Sequence, residues 1–178
     1  MRVLAGTYKS KKIETINSPD TRPMMSKVRE AIFNSIQFMI EEKDILDLYS
    51  GSGSLGIEAL SRGANYVTFV DFSKECILIL NKNVENISNN LSIVNSSVNS
   101  FIKNSINQYE LIFYDPPFEL DTEIVNEEIL IIEQILINNG LLIIHRHKSS
   151  EEINFSKNYE LHKEKNYGQS KILILRRI

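Results

Sequence analysis

The stretch DLYSGSGSLG, residues 47–56, decides the fold. Gly51, Gly53 and Gly56 have the spacing G-x-G-x-x-G, and they lie between an apolar run that predicts a strand and a periodic run that predicts a helix. Glycines in such a loop permit positive φ angles and let a ligand approach the backbone. A packing turn alone would also use glycine, but Asp71, fifteen residues after Gly56, suits the hydroxyls of a ribose. The stretch therefore predicts a nucleoside site.

Strands and helices alternate along the chain on both sides of this loop. The predicted strands are residues 44–49, 66–71, 91–95, 110–114 and 140–145, and the predicted helices are residues 26–40, 54–63, 73–88, 98–105 and 122–137. Such alternation implies an α/β fold with a parallel sheet that is covered on both faces. Residues 158–177 predict two antiparallel strands joined near Gly168, which would add an antiparallel edge, and residues 1–16 predict a short hairpin.

Charge is distributed unevenly along a chain whose net charge is −3. Residues 1–30 carry seven basic and three acidic side chains, and residues 156–178 carry six basic and two acidic ones, so an acidic body lies between two basic ends. Local basic patches, rather than net charge, bind phosphates. We expect a nucleic-acid surface if the two ends are adjacent in the fold, and ordinary solvated faces if they are not.

Cysteine content and hydropathy indicate the cellular compartment of the protein. The single cysteine, Cys76, cannot form an internal disulfide, and no apolar run reaches the ~20 residues of a membrane span. We therefore expect a cytoplasmic protein that does not enter a membrane.

The stretch YDPPF, residues 114–118, ends the fourth predicted strand with an acid, two prolines and an aromatic ring. Ligands bind beyond the carboxyl ends of parallel strands, so YDPPF and the glycine loop face one crevice if the first and fourth strands are neighbours. Asp115 and the Pro116 carbonyl would accept the two protons of an exocyclic amine, and Phe118 would offer a face on which a base stacks. This arrangement suits methyl transfer to a base; a strand-ending turn with a core phenylalanine is the alternative.

Proteins that bind NAD and proteins that bind S-adenosylmethionine (SAM) share the glycine pattern. Three features favour SAM. Asp47 lies four residues before Gly51, where a carboxylate suits the cationic amino group of methionine. Serines fill the loop, and a dehydrogenase has no evident use for the YDPPF kink. We predict SAM as the cofactor, and no metal.

Several stretches together resemble the RsmD-type bacterial 16S ribosomal RNA guanine-N2 methyltransferases, nearly from end to end. MRVLAGTYKSKKI is similar to the family's R-I-I-x-G-x-x-R-G-R-x-L, and SPDTRPMMSKVREAIFN is similar to R-P-T-x-D/E-x-V-R-E-A-L-F-N. DLYSGSGSLGIEALSRGA and YDPPF match the cofactor loop and the catalytic motif, and NYGQSKILILR matches the closing segment. The resemblance implies a class I SAM-dependent methyltransferase with a Rossmann-like fold: a mostly parallel seven-stranded sheet, an antiparallel edge strand and a short N-terminal hairpin and helix extension. Residues 1–25 would be the basic hairpin and connector, and residues 26–178 the methyltransferase domain.

The resemblance also implies roles for individual residues. The target guanine would be held by Asp115, Pro116, Pro117 and Phe118. The cofactor would be bound by Asp47, Tyr49, Gly51, Ser52, Gly53, Asp71, Phe72, Ser97 and Val98. The RNA would contact Lys9, Lys11, Lys12, Arg22, Arg29 and Asn34. The implied partner is 16S ribosomal RNA, within a 30S subunit or an assembly intermediate. We expect the protein to be a monomer.

The chain departs from the family pattern in several places. Lys9-Ser10-Lys11 replaces R-G-R, Ser26 replaces an acid, Ser97 replaces Asp or Asn, and HRHK at residues 145–148 stands where an acid is frequent. His145 and His147 share one face of the fifth predicted strand. Because no third ligand is evident, we expect them to be structural histidines rather than metal ligands.

Other functions remain open from the sequence. Acid- or Asn-Pro-Pro-aromatic motifs also serve methyltransferases of DNA adenine and of protein glutamine, although this chain is short for a DNA target-recognition domain. A NAD-dependent oxidoreductase would use the same glycine loop. A non-catalytic RNA-binding module would retain only a vestigial pocket, and the intact Asp115 and glycines argue against it.

Overall fold

The computed structural model describes residues 1–16 and 24–178 of the chain. The strands are β1 (Asp44–Leu48), β2 (Tyr66–Asp71), β3 (Leu91–Asn95), β4 (Tyr109–Tyr114), β5 (Leu136–His147), β6 (Tyr159–Tyr167) and β7 (Ser170–Arg177). The helices are α1 (Ser26–Ser35), α2 (Ser54–Ser61), α3 (Lys74–Val84), α4 (Val98–Asn104) and α5 (Thr122–Ile135). Among these described elements, no helix is long and apolar enough to span a bilayer.

The seven strands form one sheet in the order β3-β2-β1-β4-β5-β7-β6. Strands β1 to β5 pair in parallel, whereas β7 runs antiparallel to both of its neighbours, β5 and β6. The predicted α/β class, the mostly parallel sheet and the antiparallel pair at one edge are therefore confirmed. The antiparallel strand itself lies one place in from the edge, because β6 covers it.

Successive residues of the central strands point to opposite faces of the sheet, and each face has its own core. Ile45 of β1 packs in the cluster that includes Phe33 of α1, and the adjacent Leu46 packs in the cluster that includes Ile129 of α5. Helices α1, α2 and α3 thus cover one face, and α4 and α5 cover the other. Burial on both faces explains why these strands read as continuous apolar runs rather than as alternating patterns.

The strand register places the ends of β1 and β4 side by side. Leu48 is paired with Val70 of β2 and with Tyr114 of β4. The amide of Asp115 donates to the Leu48 carbonyl at 3.4 Å, so the two chains leave the sheet together. The glycine loop and YDPPF therefore open at one edge of the molecule, as the sequence predicted.

Helix α1 is shorter than its periodicity predicts, since it ends at Ser35 rather than at Ile40. The Ser35 hydroxyl donates to the Ala31 carbonyl, a bond that weakens and bends helices, and a turn follows in which the Met39 amide donates to the Ile36 carbonyl. At its other end, the N-cap position of α1 is taken by Met25, whose side chain makes no capping bond.

The N-terminal segment folds back on itself, as predicted, through an antiparallel bridge between Arg2 and Lys12. Val3 and Ile13 are buried in the same cluster as α1 and the sheet. The division of the chain at residue 25 stays a prediction, and the connector residues 17–23 lie outside the described part. The buried side chains of residues 1–16 nevertheless share a core with the rest of the protein.

Candidate active site

The glycine loop runs from the end of β1 to the start of α2 in left-handed backbone conformations. Tyr49, Gly51 and Gly53 have φ angles of 58°, 53° and 79°. A Cβ on Gly53 would lie 2.3 Å from the Leu80 side chain, and one on Gly56 would lie 2.2 Å from the Phe69 ring. Glycine is therefore needed at Gly53 for both conformation and space, and at Gly56 for the close approach of α2 to β2.

Asp47 organises the loop from beneath. Its side chain is buried, and Oδ2 accepts the Gly56 amide at 2.9 Å, which fixes the first turn of α2. Burial raises the pKa of Asp47 well above its usual range, and the nearby carboxylates of Asp115 and Asp71 raise it further. Three acids thus surround this edge of the sheet, and a cationic ligand would relieve their mutual repulsion.

Asp71 ends β2 and holds the loop from the side. Its Oδ2 accepts the Gly51 amide and its Oδ1 accepts the Ser73 amide, each at 2.9 Å. The Asn95 side chain, which the sequence analysis missed, donates to the Asp71 and Phe72 carbonyls at 3.0 and 2.9 Å. Together these bonds fix the backbone on either side of the exposed Phe72 ring.

Ser97 and Val98 follow β3 at the same edge of the sheet, because Asn95 pairs with Asp71. The Ser97 hydroxyl accepts the Ser100 amide and so caps α4, while Val98 is buried. The Ser97 side chain therefore has a structural task of its own.

The YDPPF turn is anchored from β5. Arg146 is buried, and it donates to the Pro117 carbonyl at 3.1 Å and to the Leu120 carbonyl at 2.8 Å. Pro116 is buried beneath the turn, whereas Phe118 is half-buried beside two histidine rings. His145 Nδ1 lies 2.7 Å from Asp115 Oδ1. Within residues 1–16 and 24–178, no three His, Cys, Asp or Glu side chains are grouped so that they could hold a metal ion.

The comparisons with known proteins agree on a family. The sequence family described as "Conserved hypothetical protein 95" matches residues 1–176. The chain is 34% identical to ribosomal RNA small subunit methyltransferase D of Haemophilus influenzae over 94% of this chain and 89% of that protein. It is 32% identical to the Escherichia coli K12 protein of the same name, over 95% and 86% of the two chains. The chain belongs to the RsmD family. The solved structure of yhhF from Escherichia coli has a TM-score of 0.89 at 29% identity, over 99% of this chain and 97% of that one.

Membership of the RsmD family confirms the resemblance drawn from the sequence, while the roles of single residues stay predictions. The structure does bring the predicted cofactor residues together, since they lie at the carboxyl ends of β1 and β2 or in the segments that follow β1, β2 and β3. The predicted acceptor residues 115–118 follow β4, immediately beside the first of these loops.

The residues predicted to contact RNA differ in their exposure. Lys9, Lys12 and Asn34 are exposed, and the Lys11 ammonium donates to the Glu85 carbonyl at 2.6 Å at the end of α3. Arg22 lies outside the described residues.

Arg29 is fully buried, so the predicted contact with RNA is wrong for this residue. Its guanidinium donates to the Arg2 carbonyl and lies 2.6 Å from the Met1 sulfur. Burial lowers the pKa of Arg29, and the nearby Glu58 carboxylate opposes that effect. Glu58 in turn accepts the amides of Leu4 and Ala5. In this RsmD-family protein, Arg29 therefore holds the N-terminal segment against α1.

A second link joins the N-terminal segment to the glycine loop. Asn83 of α3 is buried, and its Nδ2 donates to the carbonyls of Glu14 and Ser52, both at 2.9 Å, while its Oδ1 accepts the Glu14 amide at 2.8 Å. The sequence analysis missed Asn83, although a polar residue between the apolar Leu80 and Val84 was a usable signal.

Glu128 joins the ends of β1 and β4 from below. This buried α5 residue accepts the Tyr49 hydroxyl at 3.0 Å and the Tyr114 hydroxyl at 2.6 Å, and the two rings meet edge to face at 5.7 Å. Burial raises the pKa of Glu128, and the hydrogen bonds from Tyr114 and Tyr49 offset part of that shift. A glutamate at a core-facing position beside Val125 and Ile129 was the signal that sequence analysis overlooked.

Replacing Glu128 with glutamine is expected to change how stability depends on pH. A carboxyl whose pKa is raised on folding stabilises the folded state below its unfolded pKa, about 4.3, and that contribution is lost as pH rises through the folded pKa. Glutamine cannot ionise, so Glu128→Gln lacks this loss. Thermal melts from about pH 4 to pH 8 should show Tm of the variant, relative to wild type, rising with pH. Glu127→Gln, on the exposed face of α5, should leave a constant difference, and a flat or falling difference for Glu128→Gln would contradict the assignment.

Proposed function

We propose that this protein transfers a methyl group from SAM to the exocyclic N2 amine of a guanine in 16S ribosomal RNA. The observation that carries the proposal is the bond between the Asp115 amide and the Leu48 carbonyl, because it joins the acceptor turn to the cofactor loop. Membership of a family whose relatives are named small subunit ribosomal RNA methyltransferases supports the choice of substrate.

The residues around the glycine loop fit SAM. A Cβ on Gly51 would meet no atom within 4 Å, so the loop borders open space at this residue. The carboxylates of Asp71 and Asp115 lie near the buried Asp47 at this edge, and acidic groups there suit a sulfonium and an ammonium group better than a pyrophosphate. Asp71 would accept the ribose hydroxyls, Phe72 would flank the adenine, and the loop from Gly51 to Gly53 would hold the methionine portion. SAM supplies a methyl group that is already electrophilic.

The chain's own residues then have to orient a weak nucleophile. The lone pair of a guanine N2 amine is delocalised into the ring, so alignment with the methyl group is the main contribution that the protein makes. Asp115 and the Pro116 carbonyl would accept the two amine protons. Phe118, half-buried on one side, would support the base by stacking, which contributes about 1–3 kcal/mol.

The basic N-terminal segment would guide the RNA to this edge. Lys9 and Lys12 are exposed, and the segment that carries them is fastened to α1 by Arg29 and to the glycine loop by Asn83. A Cβ on Gly168 would lie 4.0 Å from the Met25 side chain, so the β6–β7 turn lies beside the start of α1. Both basic ends of the chain therefore contact the region of α1, which supports a phosphate-binding surface that uses residues from both.

Nucleoside mass spectrometry tests the proposal directly. The protein and SAM are incubated with 30S particles, or with naked 16S RNA, from cells that lack this gene. We expect one new N2-methylguanosine in the RNA and none with the Asp115→Asn variant. A different methylated nucleoside, or methyl label found in DNA or protein instead, would refute the guanine assignment.

Removing the two exposed lysines of the N-terminal segment is expected to weaken RNA binding in a salt-dependent way. Each lost phosphate contact lowers the slope of log affinity against log salt by about one. Fluorescence anisotropy with a labelled 16S fragment should therefore show, for Lys9→Ala with Lys12→Ala, a weaker complex at low salt and a slope reduced by about two.

The matched control replaces Lys82 and Lys103, which are also exposed but lie outside both basic ends of the chain. This control should retain the wild-type slope. Equal slopes for both double variants would place the RNA surface elsewhere on the molecule.

A further inference from the structure

The most informative unassigned group on the described part of the chain is the His145 side chain. It is 7% exposed and lies between the end of β4 and the start of β7. Its Nδ1 is 2.7 Å from Asp115 Oδ1, its Nε2 is 2.8 Å from Ser170 Oγ, and its ring meets Phe118 edge to face at 5.1 Å. One imidazole thus touches the proposed acceptor of the amine proton and the proposed stacking ring.

The hydrogen bonds define the tautomer of His145. A carboxylate only accepts hydrogen bonds, so Nδ1 carries the proton that is shared with Asp115. In the neutral ring Nε2 then accepts, and the Ser170 hydroxyl donates to it. Ser170 is buried, and its backbone is fixed by pairing with His147 of β5. The ring is therefore held at both nitrogens by groups on two different strands.

This arrangement has a direct consequence for Asp115, whose side chain is 27% exposed. A carboxylate that is free to rotate presents either oxygen in many directions. The bond from His145 occupies Oδ1 and leaves Oδ2 as the oxygen for the incoming amine. Because Arg146 fixes the backbone of the same turn through Pro117 and Leu120, neither the main chain nor the side chain of Asp115 is free to turn.

We propose that His145 is a positioning residue for methyl transfer, acting through Asp115 and Phe118 rather than on the RNA or the cofactor. This role goes beyond the structural one that the sequence predicts for His145. The inference rests on the proposed function for the identity of the acceptor, but the effect on Asp115 is independent of which amine is methylated. Since small misplacements of reacting groups cost up to about 100-fold in rate, the effect belongs in turnover.

The first test compares two substitutions of similar size. His145→Leu removes the donor, whereas His145→Asn places an amide N–H near the position of Nδ1. We expect His145→Leu to lower kcat by about 10- to 100-fold with an unchanged SAM dissociation constant. His145→Asn should recover most of the rate, and Ser170→Ala should give an intermediate loss. The matched control, His162→Leu on the exposed face of β6, should behave as wild type.

A purely structural histidine would give a different pattern. Both His145 variants would then lose Tm and SAM affinity together, and asparagine would bring no recovery of kcat. Equal kcat for His145→Leu and wild type would overturn the proposal, as would equal losses for the leucine and asparagine variants. If the wild type methylates another amine, the guanine assignment fails, and the same ratios measured on that acceptor still decide the role of His145.

A second measurement needs no activity at all. The chain has three histidines, so nitrogen NMR of ¹⁵N-histidine-labelled protein can be assigned by single substitutions. We expect a proton on Nδ1 of His145 and a change of its signal in Asp115→Ala. A proton on Nε2 alone would overturn the proposed contact, and so would a His145 signal that is the same in Asp115→Ala as in wild type.

Discussion

Asp115→Asn should reduce turnover by at least about 100-fold while SAM still binds with nearly wild-type affinity. The carboxylate lies at the end of β4, on the acceptor side of the crevice, and its Oδ1 is already bonded to His145. Asparagine keeps an oxygen for His145 but replaces the second acceptor by a donor, which repels the protons of the target amine. Single-turnover kinetics and calorimetry with SAM would separate the two effects.

Asp121→Ala is the matched control for this experiment, because Asp121 is an exposed acid at the start of α5 with no side-chain capping bond. Its turnover should equal that of wild type. A parallel loss of SAM affinity in Asp115→Asn would mean that Asp115 belongs to the cofactor side. The alanine variant is a poorer choice, since it leaves a buried imidazole donor without its partner, which costs about 1–3 kcal/mol of stability.

Asp71→Asn should raise the SAM dissociation constant by about 30-fold or more. Both oxygens of Asp71 accept hydrogen bonds from main-chain amides, those of Gly51 and Ser73. In the Asp71→Asn variant one of these oxygens is replaced by an NH2 group, which faces an N–H donor and cannot accept its bond. Hydrogen bonds to charged groups contribute about 1.5–3 kcal/mol each, and the proposed ribose contact is weakened at the same time. Calorimetric titration with SAM and with its demethylated product would measure the change.

Asp44→Asn provides the comparison, because Asp44 begins β1 at the opposite edge of the sheet and bonds to the Asn65 side chain. Its SAM affinity should be that of wild type. If Asp71→Asn binds SAM normally, SAM binding depends neither on the bonds from Asp71 to the Gly51 and Ser73 amides nor on a ribose contact of Asp71, and the role proposed for this residue is wrong. If NAD and not SAM protects wild type from thermal unfolding, the choice of cofactor is wrong.

The sequence predicted the sheet well because each strand can be recognised from its own residues, without knowledge of distant contacts. The bounds of β2 and β3 agree with the predictions, since each is a short run of strand-forming residues between turn residues. The glycine loop and YDPPF were readable for the same reason: each is local, and parallel strands bring their carboxyl ends to one edge. Whether the first and fourth strands are neighbours was left open by the sequence, and the strand order of the sheet answers it.

The groups that sequence reasoning missed depend on contacts between distant parts of the chain. Glu128 lies 79 residues from Tyr49, and His145 lies 30 residues from Asp115. A buried charge looks like a surface charge until its partners are known, which is how Arg29 was misassigned to the RNA. The sequence likewise showed Ser97 as a polar residue at the end of a strand, but it did not show that Ser97 caps α4.

The strand order also bears on how such an enzyme could change its target. The chain winds outward from β1 to β3, returns across the sheet to β4, and then winds in the opposite direction. The connections that leave β1 and β4 therefore run toward opposite edges of the sheet. The crevice between them results from the strand order and does not depend on the side chains that line it. In the function proposed above, the loop after β1 binds the methyl donor and the turn after β4 binds the acceptor. A new specificity could then arise through changes after β4 while the loop after β1 stays intact.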